Sequence, residues 1–525
     1  MQKADTMKTL CSFLVKFTSI ISWSLSCFDR VIFKGHLPIS RPFQMENLID
    51  YRLKMRRCDF FKKTGPQGSQ RLVDHAKGFA AKYQRPFKYH QGRIVKDAWA
   101  KEQLRLQPVK EGLIGILCVM ESCGTFKLAH GEGRPHLVSA QVPQRVLYYY
   151  FLDRDLGLMH VRLQTWAPFT CQIYVNGHDY VARQMKRRGL VFEQTDNAFT
   201  QLADPQKAQR FAERFAKLPW PKILDKYARQ VNPLLRQELK HLRDDKGLSH
   251  YWVIDQAEFA TDLLLVSQQA LAGLYVRLLE FAFLTFSPKK IFRYLGRAYH
   301  ERFDGEVQTH YKSAREPGAC IKHFLKNNWL KMYDKLAVLL RVETVINQPG
   351  DFKVFRGCRH RDGSESLGWY PMCKGVGNLP HYQSHALASN HRYLEALAAV
   401  DDPAPGYDEL ALLTEAQRQQ GRSYAGFNPA RAVEANLLAA VLAGDHIARG
   451  FCNRDIRIVV YPAPTSNHRQ QRRTSAAVGR LLKRLHVRGL LAKIPHTRRW
   501  RVTAKGRRIF GDVLRTYRRY STQAA

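Results

Sequence analysis

The chain has 525 residues, enough for about three domains of ordinary size. Apolar residues make up 45% and aromatic residues 11%, which excludes a mainly disordered chain. The 84 Lys and Arg residues exceed the 45 acidic residues by a formal charge of +39. This charge indicates a polyanionic partner, and DNA and RNA are the commonest polyanions in a cell.

The ten cysteines are scattered, and none forms a CxxC pair. Zinc ribbons and fingers need closely spaced ligand pairs, so the sequence argues against a structural zinc site. Single cysteines fit a reducing compartment, and we expect a cytoplasmic protein associated with the bacterial nucleoid.

The N-terminal segment Leu10–Phe28 is mostly apolar and follows two lysines, as in a signal peptide. Lys16 and several Ser and Thr residues interrupt it, and no small-residue cleavage site follows. Its apolar residues match one face of a helix, so we expect a docked amphipathic helix. No other stretch has the ~20 apolar residues of a membrane span, so we expect no membrane partner.

The segments that follow predict a mixed α/β body. Strands are expected at 30–34 and 113–120, and turn residues separate three further strands at 146–152, 157–164 and 169–175. A second strand pair is expected at 329–333 and 338–345, with its turn at Asp334 and Lys335. Helices are expected through most of 40–110 and at 178–188, 204–245, 255–303 and 385–400, with loops at 64–68 and 356–380.

The residues after 430 have the order of a winged helix-turn-helix. Helices are expected at 432–443, after a cap at Asn453, and after Thr474 or Ser475, ending at Gly489. Two short strands, 490–494 and 500–503, form the expected wing, and a last helix covers 504–520. This order resembles that of the MarR and related winged-helix regulators.

Charge favours nucleic-acid binding by this region. Residues 467–520 contain seventeen Lys or Arg residues and one acid, a net charge of +16. A helix in the major groove and a basic wing over the backbone use such a distribution, although a basic winged helix also serves protein contacts. The candidate nucleic-acid-binding residues are Arg472, Arg473, Ser475, Arg480, Lys483, Arg484, Arg488, Arg498, Arg499 and Arg501.

Acidic residues in the body are candidates for Mg²⁺ binding and catalysis. Asp29 precedes a predicted strand, and Glu121 ends another. Asp255, Glu258 and Asp262 have i, i+3 and i+4 spacing, so in a helix they share one face. Acids at strand ends and on a nearby helix can hold Mg²⁺ for phosphoryl transfer, and we name Asp29, Glu121 and Asp255 as metal ligands. The alternative is that they cap turns and pair with Lys or Arg.

Two short resemblances point the same way. Val119-Met-Glu-Ser-Cys-Gly124 resembles the E-x-T-G stretch of transposases with a RuvC-like acidic site. Lys331–Lys335 with Leu340-Arg-Val-Glu343 resembles a strand-turn-strand of rolling-circle replication initiators, which implies a metal-binding role for Glu343. The tyrosine nucleophile of such proteins lies elsewhere, and Tyr370, Tyr382 and Tyr393 are the alternatives to Tyr333. The paired histidines of that family are absent, since His381 and His385 are four residues apart.

Clustered aromatic residues have two interpretations. They are Tyr148, Tyr149, Tyr150, Phe151, Trp166 and Phe169. Such rings can stack on unpaired bases, but alternation along strands favours a core role for most of them.

Over nearly its full length the chain resembles a large family of uncharacterised bacterial proteins, often labelled MarR-like, that look mobile. The stretches 27–35, 119–123, 255–262 and 331–335 carry this resemblance, which implies a role in a mobile element and no particular catalytic residue.

We therefore expect an α/β chain with a mixed α+β body containing antiparallel strands and a C-terminal winged helix-turn-helix. The expected domains are 1–110, 111–400, a linker at 401–430, and 431–525. The expected function is DNA binding, with metal-dependent strand cleavage or transfer among the acids. A non-catalytic transcriptional regulator and an RNA-binding component of a ribonucleoprotein remain alternatives, and a homodimer is left open.

Overall fold

The fold is taken from a computed structural model of the chain. The structure describes residues 11–130, 135–235, 250–286, 288–297, 307–312, 320–360, 362–401, 413–428, 431–443, 446, 450–462 and 468–523. The predicted linker residues 402–406 and the predicted helical residues 236–245 lie outside these ranges.

The strands range from 3 to 18 residues in length, and most of them pair antiparallel. In chain order they are β1 (Ile21–His36), β2 (Phe87–His90), β3 (Gly112–Ala129), β4 (His136–Asp153), β5 (Gly157–Gln164), β6 (Cys171–Val175), β7 (Phe192–Thr195), β8 (Ala198–Leu202), β9 (Tyr251–Leu265), β10 (Val307–Lys312), β11 (Cys320–Leu325), β12 (Asn328–Lys335), β13 (Leu339–Ile346), β14 (Lys353–Arg359), β15 (Glu365–Pro371), β16 (Gln417–Gln419), β17 (Arg422–Tyr424), β18 (Leu491–Lys493) and β19 (Trp500–Val502).

The helices lie between these strands and after them. They are α1 (Ser12–Lys16), α2 (Pro42–Asn47), α3 (Arg57–Asp59), α4 (Gly65–Lys82), α5 (Lys96–Leu106), α6 (Gly177–Lys186), α7 (Pro205–Phe215), α8 (Trp220–Val231), α9 (Gln268–Thr285), α10 (Pro288–Tyr294), α11 (Leu379–Leu397), α12 (Ala432–Leu442), α13 (Asn453–Val460), α14 (His468–Val487) and α15 (Ala504–Gln523).

One large sheet dominates the fold. Its eleven strands follow the order β10-β11-β12-β13-β9-β1-β6-β5-β4-β3-β2. The pairing of β2 with β3 is parallel, whereas the pairs β3–β4, β4–β5 and β5–β6 are antiparallel. The chain is therefore a mixed α+β protein built around a mostly antiparallel sheet, as expected from the sequence.

The chain divides into two compact units that are discontinuous in sequence. One unit comprises Met1–Ser24, Thr261–Thr344 and Ala386–Ala525, and the other comprises Leu25–Ala260 and Val345–His385. We call them the C-terminal unit and the central unit. The boundaries fall inside β1, β9 and β13, so no division of the sequence into consecutive domains reproduces them.

The core of the central unit confirms the core interpretation of the aromatic cluster. Tyr149 and Tyr150 are almost fully buried, as are most of the neighbouring rings (Tyr148, Phe151 and Phe169). Trp166 is half-buried. Tyr149 lies against Phe79 of α4, and Phe33 of β1 packs on Trp220 of α8, so helices cover this side of the sheet.

The C-terminal unit contains the predicted sequence of helices and hairpin after residue 430. The apolar residues of α12, α13, α14 and α15 share one buried core, which includes Leu438, Ile456, Leu482 and Phe510. The β18–β19 hairpin follows α14, and Phe451 bridges to Trp500. Helix α14 begins at His468, several residues before the predicted cap.

Four predicted elements are wrong, and one of them is the helix expected from 255, whose first residues form strand β9. The expected N-terminal helix ends at Lys16, and β1 begins at Ile21, because the residues from Ile21 alternate between apolar residues and serine. Residues 353–371 form the β14–β15 hairpin instead of a loop. The expected loop at 64–68 lies mostly in α4, since Pro66 occupies the first turn, where the missing N–H costs no hydrogen bond.

Within the described residues, no single helix is long and apolar enough to cross a membrane; one bent pair, Gln268–Phe283 with Pro288–Tyr294, meets the length and composition criteria together.

Candidate functional site

Asp29 lies on β1, where the start of α6 meets the strand. A Cβ on Gly177 would come within 2.2 Å of the Phe28 carbonyl oxygen, so only glycine lets the helix approach this closely. Asn176 caps α6 by accepting hydrogen bonds from the backbone N–H groups of His178 and Asp179. This arrangement places Nδ1 of the fully buried His178 3.2 Å from Oδ1 of Asp29.

A second polar side chain reaches Asp29 from the turn between β7 and β8. Asn197 donates a hydrogen bond from its amide to Oδ1 of Asp29. The Asp29 side chain is only 10% exposed, so its carboxylate depends on these protein groups rather than on bulk water.

Glu258 lies on β9 and forms a close carboxylate pair with Asp29. Ligand-type oxygens of the two side chains lie within 4.8 Å of each other. Glu258 accepts a 2.7 Å hydrogen bond from Gln256. The guanidinium of Arg30 lies 3.8 Å from Oε1 of Glu258. Two buried carboxylates at this separation repel each other, and a bound cation relieves that repulsion.

A groove opens beside this carboxylate pair in the central unit. One cavity of about 450 Å³ is lined by Asn197 together with Asn176, His160 and Tyr174. A second cavity of about 350 Å³ shares His160 and Tyr174 with the first and includes Arg30. Because Asn197 contacts Asp29 and Arg30 contacts Glu258, both cavities adjoin the pair.

The smaller cavity combines stacked rings with positive charge, whereas the larger cavity is also lined by Asp97, Asp179 and Asp196. The His160 and Tyr174 rings stack with centroids 4.9 Å apart, and the Arg30 guanidinium lies 5.7 Å from the Tyr174 ring. Burial lowers the pKa of His160 to about 4, so its ring is neutral at pH 7.

Glu121 has a structural environment. Its carboxylate accepts hydrogen bonds from Arg162 at 2.8 Å and from the Tyr148 hydroxyl at 2.8 Å, and Lys96 lies 3.0 Å away. Burial opposes ionisation of Glu121, but Arg162 and the other donors outweigh it and hold its pKa below the usual value. Among the described residues, Glu121 belongs to no close group of acidic ligands.

Asp255 is not on a helix. The residues at the start of the helix predicted at 255–303 form strand β9, and the first helix of that region is α9, which begins at Gln268. Along an extended strand three residues span about 10 Å, whereas on a helix they form less than one turn, so β9 separates Glu258 from Asp255. Its carboxylate accepts a 3.2 Å hydrogen bond from Gln172, and it is not in the close group that contains Asp29.

Glu343 and Asp262 are both buried acids with cationic partners in the C-terminal unit. Glu343 on β13 lies 3.0 Å from Nζ of Lys331 and accepts a 2.9 Å hydrogen bond from Tyr333. Asp262 accepts two hydrogen bonds, at 2.6 and 2.7 Å, from the fully buried Arg341. The strands of Glu343, Glu258 and Asp29 are consecutive in the sheet order.

The tyrosines considered as nucleophiles differ in accessibility. Tyr382 and Tyr393 are almost fully buried, and burial raises the pKa of both hydroxyls. Tyr370 is half-buried and contacts the Ser366 hydroxyl at 2.5 Å. Tyr333 is half-buried and engaged with Glu343.

Most of the predicted nucleic-acid-binding cations of the C-terminal unit are exposed. These residues lie on α14 and in the β18–β19 hairpin, and they are Arg472, Arg473, Arg480, Lys483, Arg498, Arg499 and Arg501. The opposite face of α14 is buried through Val478, Leu482 and Leu485. The helix therefore presents a cationic face on one side and an apolar face on the other.

Three of the predicted contacts are instead engaged within the protein. Arg488 is buried, and its guanidinium donates hydrogen bonds to the carbonyls of Glu415, Tyr424 and Ala425. Arg484 donates to the Ala425 carbonyl and lies 3.3 Å from Glu434.

The third, Ser475, donates a 3.0 Å hydrogen bond to Asn453. Arg484 and Arg488 hydrogen-bond to carbonyls within residues 415–425, so their guanidinium groups bind the protein's own backbone.

The sequence analysis missed His178 and Asn197. Asn176-Gly177-His178-Asp179 after a predicted strand carries a cap signature that locates the start of α6. Asn197 carries no comparable signal, because the β7–β8 hairpin that positions it is short.

Comparison of the chain with protein-family models, curated proteins and solved structures finds no match.

Proposed function

We propose that the chain is a DNA-binding protein of a bacterial mobile element, and that its C-terminal region acts as a winged helix-turn-helix. The observation that carries this proposal is the exposed cationic face of α14 together with the arginines of the β18–β19 hairpin. An apolar face against a core and a basic face toward solvent suit a helix that enters the major groove.

The contacts of the C-terminal residues refine the assignment of roles. Arg480 and Lys483 remain candidates for base contacts, since both are exposed on α14. Arg498 and Arg501 on the hairpin suit phosphate contacts, as in a wing. Arg484 and Arg488 support the domain from within.

Duplex binding by the full chain tests this proposal. The variant Arg472→Gln/Arg473→Gln/Arg480→Gln removes three exposed charges from α14. We expect weaker duplex binding and a log Kd against log salt slope that is shallower by about 2–3, measured by fluorescence anisotropy. The control is Arg52→Gln/Arg56→Gln/Arg93→Gln, which removes three exposed arginines of the central unit. Equal losses in both variants contradict a dedicated C-terminal DNA surface.

A second candidate activity is Mg²⁺-dependent cleavage or transfer of a nucleic-acid strand. The observation that favours it is the buried pair of Asp29 and Glu258 beside the two cavities that share His160 and Tyr174. Carboxylate oxygens are the ligands that Mg²⁺ prefers, so Asp29 and Glu258 would hold the ion, which would supply Lewis-acid chemistry toward a phosphodiester. His178 and Asn197 then orient the Asp29 carboxylate.

Two measurements test this activity. Wild-type protein is incubated with labelled single-stranded and duplex DNA and Mg²⁺, and Asp29→Asn and Glu258→Gln are expected to abolish cleavage. Mg²⁺ is also expected to raise the melting temperature of the wild type but not of these variants, because a cation that binds only the folded state stabilises it. Asp74→Asn and Glu365→Gln, both exposed, serve as controls.

The other predicted acids are tested separately. Glu343→Gln, Glu121→Gln and Asp255→Asn each retain the shape of the side chain. We expect Glu121→Gln to reduce stability more than cleavage, because it breaks the contacts with Arg162 and Lys96. Absence of cleavage of every substrate favours the non-catalytic regulator, and RNA that copurifies with the protein favours the ribonucleoprotein.

A further inference from the structure

The sheet of the C-terminal unit has one face that its core does not use. Along β11, and along β12 as far as Tyr333, residues alternate between buried and half-buried. The buried face contains Ile321, Leu325, Leu330 and Met332, and His323 on that face hydrogen-bonds Tyr393 of α11. The core of the unit therefore covers the face of β11 and β12 that contains these buried residues, and not the opposite face.

The opposite face carries lysines and aromatic rings. We call Lys322, Phe324, Trp329, Lys331 and Tyr333 the lysine-aromatic face. All five side chains are half-buried.

The antiparallel register sets this face out in rows. It pairs Phe324 with Trp329 and Lys322 with Lys331. Aromatic and cationic positions thus lie side by side on one side of the sheet.

The rings and charges of this face are in direct contact. Nζ of Lys322 lies 4.2 Å from the Trp329 ring centroid and 4.6 Å from that of Phe324. The exposed His310 of β10 extends the row, with its ring 5.1 Å from Phe324. Nζ of Lys331 lies 5.4 Å from the Tyr333 ring and also pairs with Glu343.

The charge of this hairpin selects the class of ligand. Residues 320–335 contain four lysines and one acid, Asp334. The aliphatic stems of lysines commonly cover aromatic rings, and this packing explains part of the contact between the lysines and the rings here. They do not account for three rings and a net positive charge on a face that the core leaves unused.

We propose that the lysine-aromatic face binds single-stranded nucleic acid. Unpaired bases stack on the rings, and the lysines and His310 meet the phosphates, which is how proteins bind single strands without sequence preference. A duplex buries its base faces, so it cannot use these rings. The inference rests on the proposed nucleic-acid function and adds a second surface to it, separate from α14.

The test measures two ligands with the full chain. A fluorescein-labelled oligothymidylate of 15 nucleotides and a 15-base-pair duplex are titrated by anisotropy. The variant Phe324→Leu/Trp329→Leu keeps apolar volume on the strands. We expect its affinity for the oligothymidylate to fall about tenfold or more, with duplex affinity unchanged. The control Trp369→Leu removes an exposed tryptophan from β15 in the central unit.

The outcomes separate this inference from the proposed function. If the wild type binds neither ligand, the proposed function itself fails. If the wild type binds duplex while Phe324→Leu/Trp329→Leu binds oligothymidylate like the wild type, the inference is overturned. The α14 triple variant completes the design, because it is expected to lose duplex binding and keep most oligothymidylate binding. The variant Lys322→Gln, which removes the cation over Phe324 and Trp329, is expected to weaken oligothymidylate binding without changing either ring.

Discussion

The carboxyl group of Asp334 is held in surroundings that penalise its charge. Burial raises its pKa from 3.8 to about 6, and a hydrogen bond from the Ala337 backbone only partly offsets this. A raised carboxyl pKa favours the protonated folded state, so this residue reduces stability as the pH rises from about 4 through about 6.

Asp334→Asn is therefore expected to stabilise the protein at neutral pH. We expect a gain of about 1 kcal/mol in the free energy of unfolding at pH 7.5, after allowing for solvent screening of this half-buried group, and almost none at pH 4. Denaturant titrations at both pH values measure it, with Glu365→Gln as an exposed control. An equal gain at both pH values contradicts the assignment.

Arg488 shows how a cation that a sequence assigns to DNA becomes structural. It is 4% exposed, and burial lowers its pKa. Three backbone carbonyls and the carbonyl of Arg484 accept its hydrogen bonds. Replacing it leaves those carbonyls without their cationic donor.

Arg488→Met is expected to cost about 2–4 kcal/mol of unfolding free energy, because buried acceptors lose a charged partner. Arg480→Gln, within the helix that precedes Arg488, is expected to change the unfolding free energy by less than about 0.5 kcal/mol, since Arg480 is exposed. Chemical denaturation of the two variants side by side distinguishes the roles. A similar small effect for both indicates that the segment around residue 425 contributes little to stability.

At the scale of elements, Gly177 couples β1 to α6 and so determines where His178 meets Asp29. Gly177→Ala places a Cβ 2.2 Å from the Phe28 carbonyl oxygen, and we expect a loss of about 1–3 kcal/mol. Gly68→Ala is the matched control, because a Cβ there meets nothing within 4 Å and Ala favours the helix interior. Thermal melts are expected to move in opposite directions for the two variants. A neutral Gly177→Ala indicates that α6 shifts freely.

The two misassigned strands share one physical cause. β1 and β9 each contain apolar residues at spacings that fit a helix as well as a strand, and local periodicity alone does not decide between them. The pairing of β1 with β6 is what decides for β1, since Val31 to Gly35 match Cys171 to Val175 in register. In β9 the extended backbone places Asp255 and Glu258 about 10 Å apart along the strand, whereas a helix would place them within one turn.

At the scale of the molecule, the formal charge of +39 opposes folding through self-repulsion. We expect KCl to raise the melting temperature by several degrees between 50 and 300 mM. The rise is expected to flatten at higher salt, where the Debye length is only a few ångströms. Differential scanning fluorimetry without nucleic acid measures it, and a melting temperature independent of salt indicates that the charges are already compensated within the protein.

The sequence by itself determined the class of the protein and much of its local structure. Composition predicted a basic protein with real cores, and turn residues predicted β4, β5 and β6. Apolar runs predicted β12 and β13, although their turn lies at Leu336 and Ala337 and not at Asp334 and Lys335. These features depend on composition and on contacts between residues close in the chain, which a single sequence records directly.

Only the tertiary structure decided which acids form the candidate site and which arginines are exposed to solvent. Asp29 and Glu258 are more than 200 residues apart in sequence, and their pairing depends on strands from distant segments. Likewise, Arg480 in α14 and Arg488 directly after it look equivalent in the sequence, yet one is exposed and the other is buried against residues 415–425. Burial and long-range register arise from the folded chain as a whole, so no local pattern of residues encodes them.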